Sequence, residues 1–228
     1  MRISEIFHSI QGEGKLAGVP SVFVRTAGCN LHCVWCDTPH ATQETDGESL
    51  DTDSIVERIN GYRPRHVVLT GGEPMIAEGV VELSHRLKDG GWHITIETAA
   101  TVWRDVVFDL ASICPKLSNS TPPLPDDSGR VQAHDKLRIN VDVIRRFMSV
   151  CDYQLKFVID RPDDLTEVRD LVAEIGSVEP ANVLLMPQGV TKEQLHAKSR
   201  WVVELCKEHG YRFCPRLHID LYGNTPGT

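Results

Sequence analysis

The sequence predicts an α/β fold, a partial, open βα barrel of about six parallel strands in a single domain spanning residues 1–228. Two observations predict it. Short apolar runs alternate with segments of helical periodicity along most of the chain. Strand, helix and strand joined by short connections fold as right-handed βαβ units on a parallel sheet. Several of the runs are β-branched with apolar residues on both faces, as strands covered by two layers must be. About six strands are too few to close an eight-stranded barrel, so the sheet is expected to stay open.

The strand candidates are residues 21–26, 66–70, 93–97, 106–110, 154–159 and 182–186, with a last extended segment at 211–217. Helices are expected between them. Residues 53–60 follow an acidic, polar loop, and residues 76–88 run into Gly90-Gly91, a stop signal. Residues 141–150 and 164–175 come next, the second ending at Gly176. Residues 192–209 have Thr191 as N-cap, Glu193 and Gln194 in the first turn and Gly210 past the end. Residues 117–135 break the rhythm. They are rich in Ser, Pro, Asp and Asn, and read as an irregular loop, either a lid or a tolerated insertion.

Composition narrows the function classes. The chain has 228 residues, 41% hydrophobic and 25% charged, which suits one globular domain. Lys and Arg number 24 against 32 Asp and Glu, a net charge of -8. That acidity and the 6% aromatic content argue against nucleic acid as a partner. No run approaches the roughly 20 apolar residues that cross a bilayer, so no membrane partner is expected. The opening Met1-Arg2-Ile3-Ser4-Glu5 lacks the features of a signal peptide, and a cytoplasmic location is the expectation.

Cysteine carries the sharpest signal. Of seven cysteines, Cys29, Cys33 and Cys36 sit on one short stretch, Gly28-Cys29-Asn30-Leu31-His32-Cys33-Val34-Trp35-Cys36-Asp37. In a reducing compartment such a cluster reads as metal or cofactor ligation rather than disulfides. It follows the first strong strand, where open α/β folds and barrels place their sites. Three thiolates on one loop can wrap an iron–sulfur cube. A four-iron cube with three protein ligands leaves one iron open to an amine and a carboxylate. A zinc site completed by His32 or His40 is the alternative.

The spacing of Cys29, Cys33 and Cys36 resembles that of radical S-adenosylmethionine (SAM) enzymes, in which the open iron binds SAM and one-electron reduction cleaves it to a 5′-deoxyadenosyl radical. A second match is Thr70-Gly71-Gly72-Glu73-Pro74 after the second strand. The stretch Phe7-His8-Ser9-Ile10-Gln11-Gly12-Glu13-Gly14, then Gly18, Phe23-Val24-Arg25-Thr26-Ala27-Gly28 and Cys36-Asp37-Thr38, is similar to the 7-carboxy-7-deazaguanine synthase family. The likeness continues at Glu97-Thr98, Cys114-Pro115-Lys116, Leu155-Lys156-Phe157 and Tyr222-Gly223-Asn224.

The resemblance implies a partial barrel of radical SAM type and a lyase that converts 6-carboxy-5,6,7,8-tetrahydropterin to 7-carboxy-7-deazaguanine with loss of ammonia, in queuosine and 7-deazapurine biosynthesis. It implies a 4Fe-4S cluster, SAM and Mg²⁺ as cofactors, a flavodoxin or ferredoxin as reductant, and a homodimer. Cys29, Cys33 and Cys36 would hold the cluster and Thr38 the magnesium. Ile10, Gln11, Gly12, Glu13, Arg25, Thr70 and Thr228 would contact the pterin. Trp35, Asp37, Gly72, Glu73, Cys114, Lys116, Met186 and Gln188 would contact SAM. The family commonly has Ser where this chain has Cys114.

Physical reading of these residues leaves plainer roles beside the implied ones. Gln11 and Glu13 suit the donor and acceptor edge of a pterin, yet their octet alone reads as a glycine-rich turn between two strands. Arg25 on an apolar strand suits a carboxylate, or a structural ion pair. Asp37-Thr38-Pro39 alone reads as a turn. His8, His32, His40 and His218 receive no catalytic role, and no residue is assigned as a catalytic acid or base. Two rivals remain: another small radical SAM enzyme, a glycyl-radical activase, and a non-catalytic zinc-binding module.

Overall fold

The computed structural model describes residues 1–123 and 129–228. The chain begins with β1 (Arg2–Ile10), which turns back antiparallel onto β2 (Pro20–Thr26). The short β3 (Glu48–Ser49) covers the outer edge of β1. Alternation then takes over with α1 (Thr52–Asn60), β4 (His66–Gly71), α2 (Val80–Asp89), β5 (His93–Thr98) and β6 (Leu110–Ile113). There follow α3 (Arg130–Leu137), α4 (Val141–Val150), β7 (Asp152–Ile159), α5 (Asp164–Ile175), β8 (Val183–Pro187), α6 (Lys192–His209), β9 (Arg212–Phe213) and α7 (Leu217–Tyr222). The strands form one nine-stranded sheet in the order β3-β1-β2-β4-β5-β6-β7-β8-β9, parallel from β2 onward. Its end strands β3 and β9 do not pair with each other among the described residues, so the barrel is partial and open.

Local chemistry explains the element ends. Asp51 accepts from the Ser54 amide at 2.7 Å to start α1, Asn140 accepts from Val143 to start α4, and Thr191 accepts from Gln194 to start α6. Val67 and Val68, neighbours that point to opposite faces of β4, are both buried, as the sequence pattern required. The largest buried side chains, Phe147 of α4 and Phe157 of β7, anchor one core that runs under the whole sheet. Burying each such ring removes roughly 1.5–3 kcal/mol worth of apolar contact with water.

Four expectations need correction. The helix expected over 76–88 starts later, at Val80, because Pro74–Ile76 forms a 3₁₀ turn and Gly79 sits at φ +86, outside the right-handed helical region. The strand expected at 106–110 is shifted to Leu110–Ile113. Pairing with β5 begins only at Leu110 opposite Thr95. Val106 and Phe108 are buried by a loop instead, Phe108 packing in an aromatic group with Trp103 and Phe147. The extended segment at 211–217 shrinks to β9, and α7 begins at Leu217. The irregular segment 117–135 contains the 3₁₀ turn Ser118–Ser120 and most of α3, and its residues 124–128 lie outside the described residues. The strand β1 escapes the search for apolar runs because Glu5 and His8 interrupt it; its partner across the turn is β2.

This topology puts the last residues of the parallel strands, Thr26, Gly71, Thr98, Ile113, Ile159 and Pro187, at one rim of the sheet. The loops that follow them meet there.

Candidate active site

A cavity of about 740 Å³ opens at that rim. The loop after β2 supplies Cys29, Cys33, Trp35, Cys36, Asp37 and Thr38 to its wall. The turn between β1 and β2 supplies Ile10, Gln11, Gly12 and Glu13, and β2 itself supplies Arg25. Thr70 and Gly72 follow β4, Cys114 and Lys116 follow β6, and Met186 and Gln188 sit at the end of β8. The chain end, Gly223 to Thr228, lies on the same wall. Of the residues expected at the site, Glu73 alone does not line the cavity.

One end of the cavity is rich in sulfur. Cys29, Cys33 and Cys36 are half-buried and free of disulfides. Their loop is braced from behind: the Val34 amide donates to the Ser120 carbonyl at 2.9 Å and the Trp35 indole to the Asn119 carbonyl at 2.9 Å. The His32 amide donates to Nδ1 of the buried His134 on α3, whose Nε2 meets the Ser120 hydroxyl at 2.9 Å. The segment around 117–135 thus supports the cysteine loop. Trp35 also packs on a small apolar group made of Cys114, Val158, Leu184, Met186 and Cys214.

Burial pushes the Cys29 thiol up to about 11 and the Cys33 thiol up to about 12. Iron takes the deprotonated sulfur, so loading this loop must release protons. Among the described residues no group of three His, Cys, Asp or Glu is close enough to hold a single metal ion. The donor set fits a cluster, in which each cysteine takes a different iron, better than a lone zinc, which needs four converging ligands.

The turn after β4 shapes the wall beside it. A Cβ on Gly72 would stand 2.2 Å from the Gly28 carbonyl oxygen, so any side chain there would displace the cysteine loop. Glu73 is buried, and both its oxygens are engaged. It accepts from the Thr98 hydroxyl at 2.6 Å, the Ala99 amide at 2.8 Å and the Met75 amide at 3.1 Å. Burial raises its carboxyl while these bonds oppose the rise. Its side chain ties the end of β4 to the end of β5, and the cavity receives the backbone at Gly72 instead.

The other end of the cavity is charged. Lys156, in the middle of β7, is buried between two carboxylates: Glu13 at 2.5 Å and Glu97 at 2.9 Å. Gln11 donates to the other oxygen of Glu97 at 3.3 Å. Arg216 reaches Glu13 through Nε at 3.0 Å and bonds to Asp37 through Nη2. Burial alone would raise the Glu13 carboxyl, but Lys156, Arg216 and His218 hold it well below the usual carboxylate range. Burial alone would lower the Lys156 ammonium, but Glu13 and Glu97 hold it well above its ordinary value.

Arg25 pairs through Nε with Glu5, its neighbour across the strand pair, at 2.6 Å, and lies over the Phe7 ring. Among the described residues its terminal nitrogens carry no hydrogen bond. The Thr38 hydroxyl is 3.9 Å from the Cys36 sulfur. The Gln188 side-chain oxygen accepts from Lys198 of α6 at 2.9 Å. Sequence reasoning assigned no role to Glu97, Lys156 and Arg216. Lys156 had a signal, a lone charge inside an apolar strand; Arg216 had none, because only the chain's crossing from β9 to α7 turns it inward.

Comparison with known proteins agrees with this geometry. Residues 23–117 match the radical SAM superfamily. A 7-carboxy-7-deazaguanine synthase from Halobacterium salinarum is 44% identical over 99% of this chain and 92% of its own length. One of the same name from Rhodopirellula baltica is 41% identical over 99% of this chain and 88% of its own. The crystal structure of QueE from Escherichia coli superposes with a TM-score of 0.70 at 25% identity, covering 95% of this chain and 94% of that one.

Proposed function

Because the chain belongs to the 7-carboxy-7-deazaguanine synthase family of the radical SAM superfamily, we propose that its cavity seats a reduced carboxypterin at the charged end and SAM at the sulfur end. The enzyme is a radical SAM lyase that converts 6-carboxy-5,6,7,8-tetrahydropterin to 7-carboxy-7-deazaguanine with loss of ammonia. When bound, the 4Fe-4S cluster and SAM supply the one-electron chemistry. The protein's part is to bind, orient and exclude water.

Cys29, Cys33 and Cys36 hold the cluster, and the bracing by Ser120, Asn119 and His134 fixes their loop. Gly72 and the turn around it, with Trp35, Asp37, Cys114, Lys116, Met186 and Gln188, form the SAM wall; Glu73 contributes by fixing that turn. Gln11, Glu13 and Glu97 face the pterin ring, offering an amide and two carboxylates to its donor-rich edge. Lys156 bridges the two carboxylates in a buried place, where their like charges would otherwise repel. The free fork of Arg25 takes the substrate carboxylate. Thr70, Ile10, Gly12 and Thr228 complete the substrate wall.

The Thr38 hydroxyl beside the cluster loop supports a Mg²⁺ site completed by substrate oxygens and water. A flavodoxin or ferredoxin would serve as reductant, the chain would act as one domain in a homodimer, and the location would be cytoplasmic. Among the described residues no helix is long and apolar enough to cross a membrane.

One observation carries the reading: three thiols and a buried carboxylate–ammonium–carboxylate group share one cavity. Anaerobic incubation of the reconstituted, reduced protein with SAM and the carboxypterin should release 7-carboxy-7-deazaguanine and ammonia. A cluster-loaded protein that cleaves SAM yet leaves the pterin unchanged would overturn the substrate; the activase alternative predicts that result.

A further inference from the structure

We infer that Arg216 is a positioning residue that holds the pterin end and the sulfur end of the cavity in register, through separate N–H groups bonded to three different loops. The inference rests on the function proposed above. Nε meets Glu13 in the turn after β1, Nη2 meets Asp37 in the cysteine loop, and Nη1 donates to the Gly189 carbonyl after β8 at 2.6 Å. Asp37 stands between a cluster cysteine and Thr38. A shift of this one guanidinium therefore moves both subsites.

The chain holds Arg216 there from both sides. Just before it, the Cys214 amide donates to Leu185 of β8 at 2.9 Å. Just after it, the Leu217 amide donates to the Gly12 carbonyl at 2.9 Å. Gly12 admits this approach because a Cβ there would lie 1.8 Å from Nδ1 of His218. Arg216 is only 7% exposed, so its donors have no water to fall back on. Charge neutralisation is not all that this residue supplies. Lys156 shares its one charge between Glu13 and Glu97, so Arg216 is needed for balance, but its bond to Gly189 goes to a neutral carbonyl. The planar fork reaches three directions at fixed angles, which an ammonium on a flexible stem does not.

The test compares Arg216→Gln and Arg216→Lys with wild type after anaerobic reconstitution. Iron content and the spectrum of the reduced cluster without SAM should match wild type. Because a small misplacement of substrate against the reacting centre costs about tenfold to a hundredfold, 5′-deoxyadenosine released per deazaguanine should rise by that factor in both variants. Amide hydrogen exchange of the same reconstituted proteins should quicken together over residues 11–16 and 33–38. Wild-type coupling in R216K would reduce the role to charge and overturn the inference, as would exchange that quickens in one loop alone or in neither. Should the Arg216 variants fail to fold, Asp37→Ala cuts one bond from the far side. Faster exchange at 11–16 then supports the link, and unchanged exchange there refutes it. If wild type makes no deazaguanine while the exchange pattern holds, the substrate reading falls and the link through Arg216 stands.

Discussion

The two ends of the same parallel strands treat buried polar groups in opposite ways. From the middle of β7 towards the rim where the strands finish, Lys156 and Arg216 are locked in ion pairs with Glu13, Glu97 and Asp37. At the base, where the strands begin, His66 is buried as a neutral ring between the Ser21 hydroxyl at 2.6 Å and the Thr95 hydroxyl at 2.9 Å. Burial, helped by His93, pushes its pKa down to about 4. A neutral hydrogen-bonded ring satisfies a core at small expense, whereas buried ions give little stability over apolar packing. Charges kept in a desolvated place mark where a polar ligand is to be recognised. The base of the sheet is built for folding and the rim for chemistry.

That contrast can be broken by substitution. The largest effect belongs to the sulfur end: replacing Cys33, Cys29 or Cys36 by Ala should abolish SAM cleavage, measured as 5′-deoxyadenosine formed. Full activity in any of the three would remove that residue from the ligand set.

Lys156→Met comes next. It leaves Glu97 without a cation beside Glu13, which keeps only Arg216, and should destabilise the protein by about 3–5 kcal/mol, read by denaturant unfolding. Without the lysine, one carboxyl must keep its proton, so its folded pKa rises above the ordinary 4.5. Its contribution is then full below 4.5 and lost as pH rises through the folded value. The variant should therefore gain stability relative to wild type on acidification from neutral pH. A constant difference between the two across pH would refute the shared role of Glu13 and Glu97.

Thr38→Ala should leave iron content intact and raise the Mg²⁺ needed for half-maximal turnover by about tenfold, the loss of one hydroxyl bond of about 1–1.5 kcal/mol. An unchanged Mg²⁺ response removes Thr38 from the site.

The smallest effect is expected at the base. In wild type the folded state resists protonating His66, so its contribution is present above 6.5 and is lost as pH falls from 6.5 towards about 4. His66→Gln keeps a hydrogen-bonding side chain and should cost about 1 kcal/mol at neutral pH. It should also flatten the fall in stability over that range and leave turnover unchanged. Lost turnover in a well-folded variant would erase the division between base and rim.

Much of this was legible in the chain alone. The helices Asp164–Ile175 and Lys192–His209 end at their glycine stops, Gly176 and Gly210, and the second starts at its Thr191 cap, since those signals are local. The cysteine loop was legible because its three thiols are neighbours in sequence, and the glycine turn by its local motif, although the close approach at Gly72 is to the distant Gly28 carbonyl. Glu73 marks the limit. Its place in the turn was readable, but Thr98 and Ala99, which consume its oxygens, belong to the next strand. Likewise the sequence determined that Lys156 sits inside an apolar strand. Only the tertiary structure decided that Glu13, 143 residues away along the chain, would be its partner, and that Arg216 would join Glu13 to Asp37. Caps and spacings depend on a few consecutive dihedrals, whereas a buried ion pair depends on which strands a sheet sets side by side.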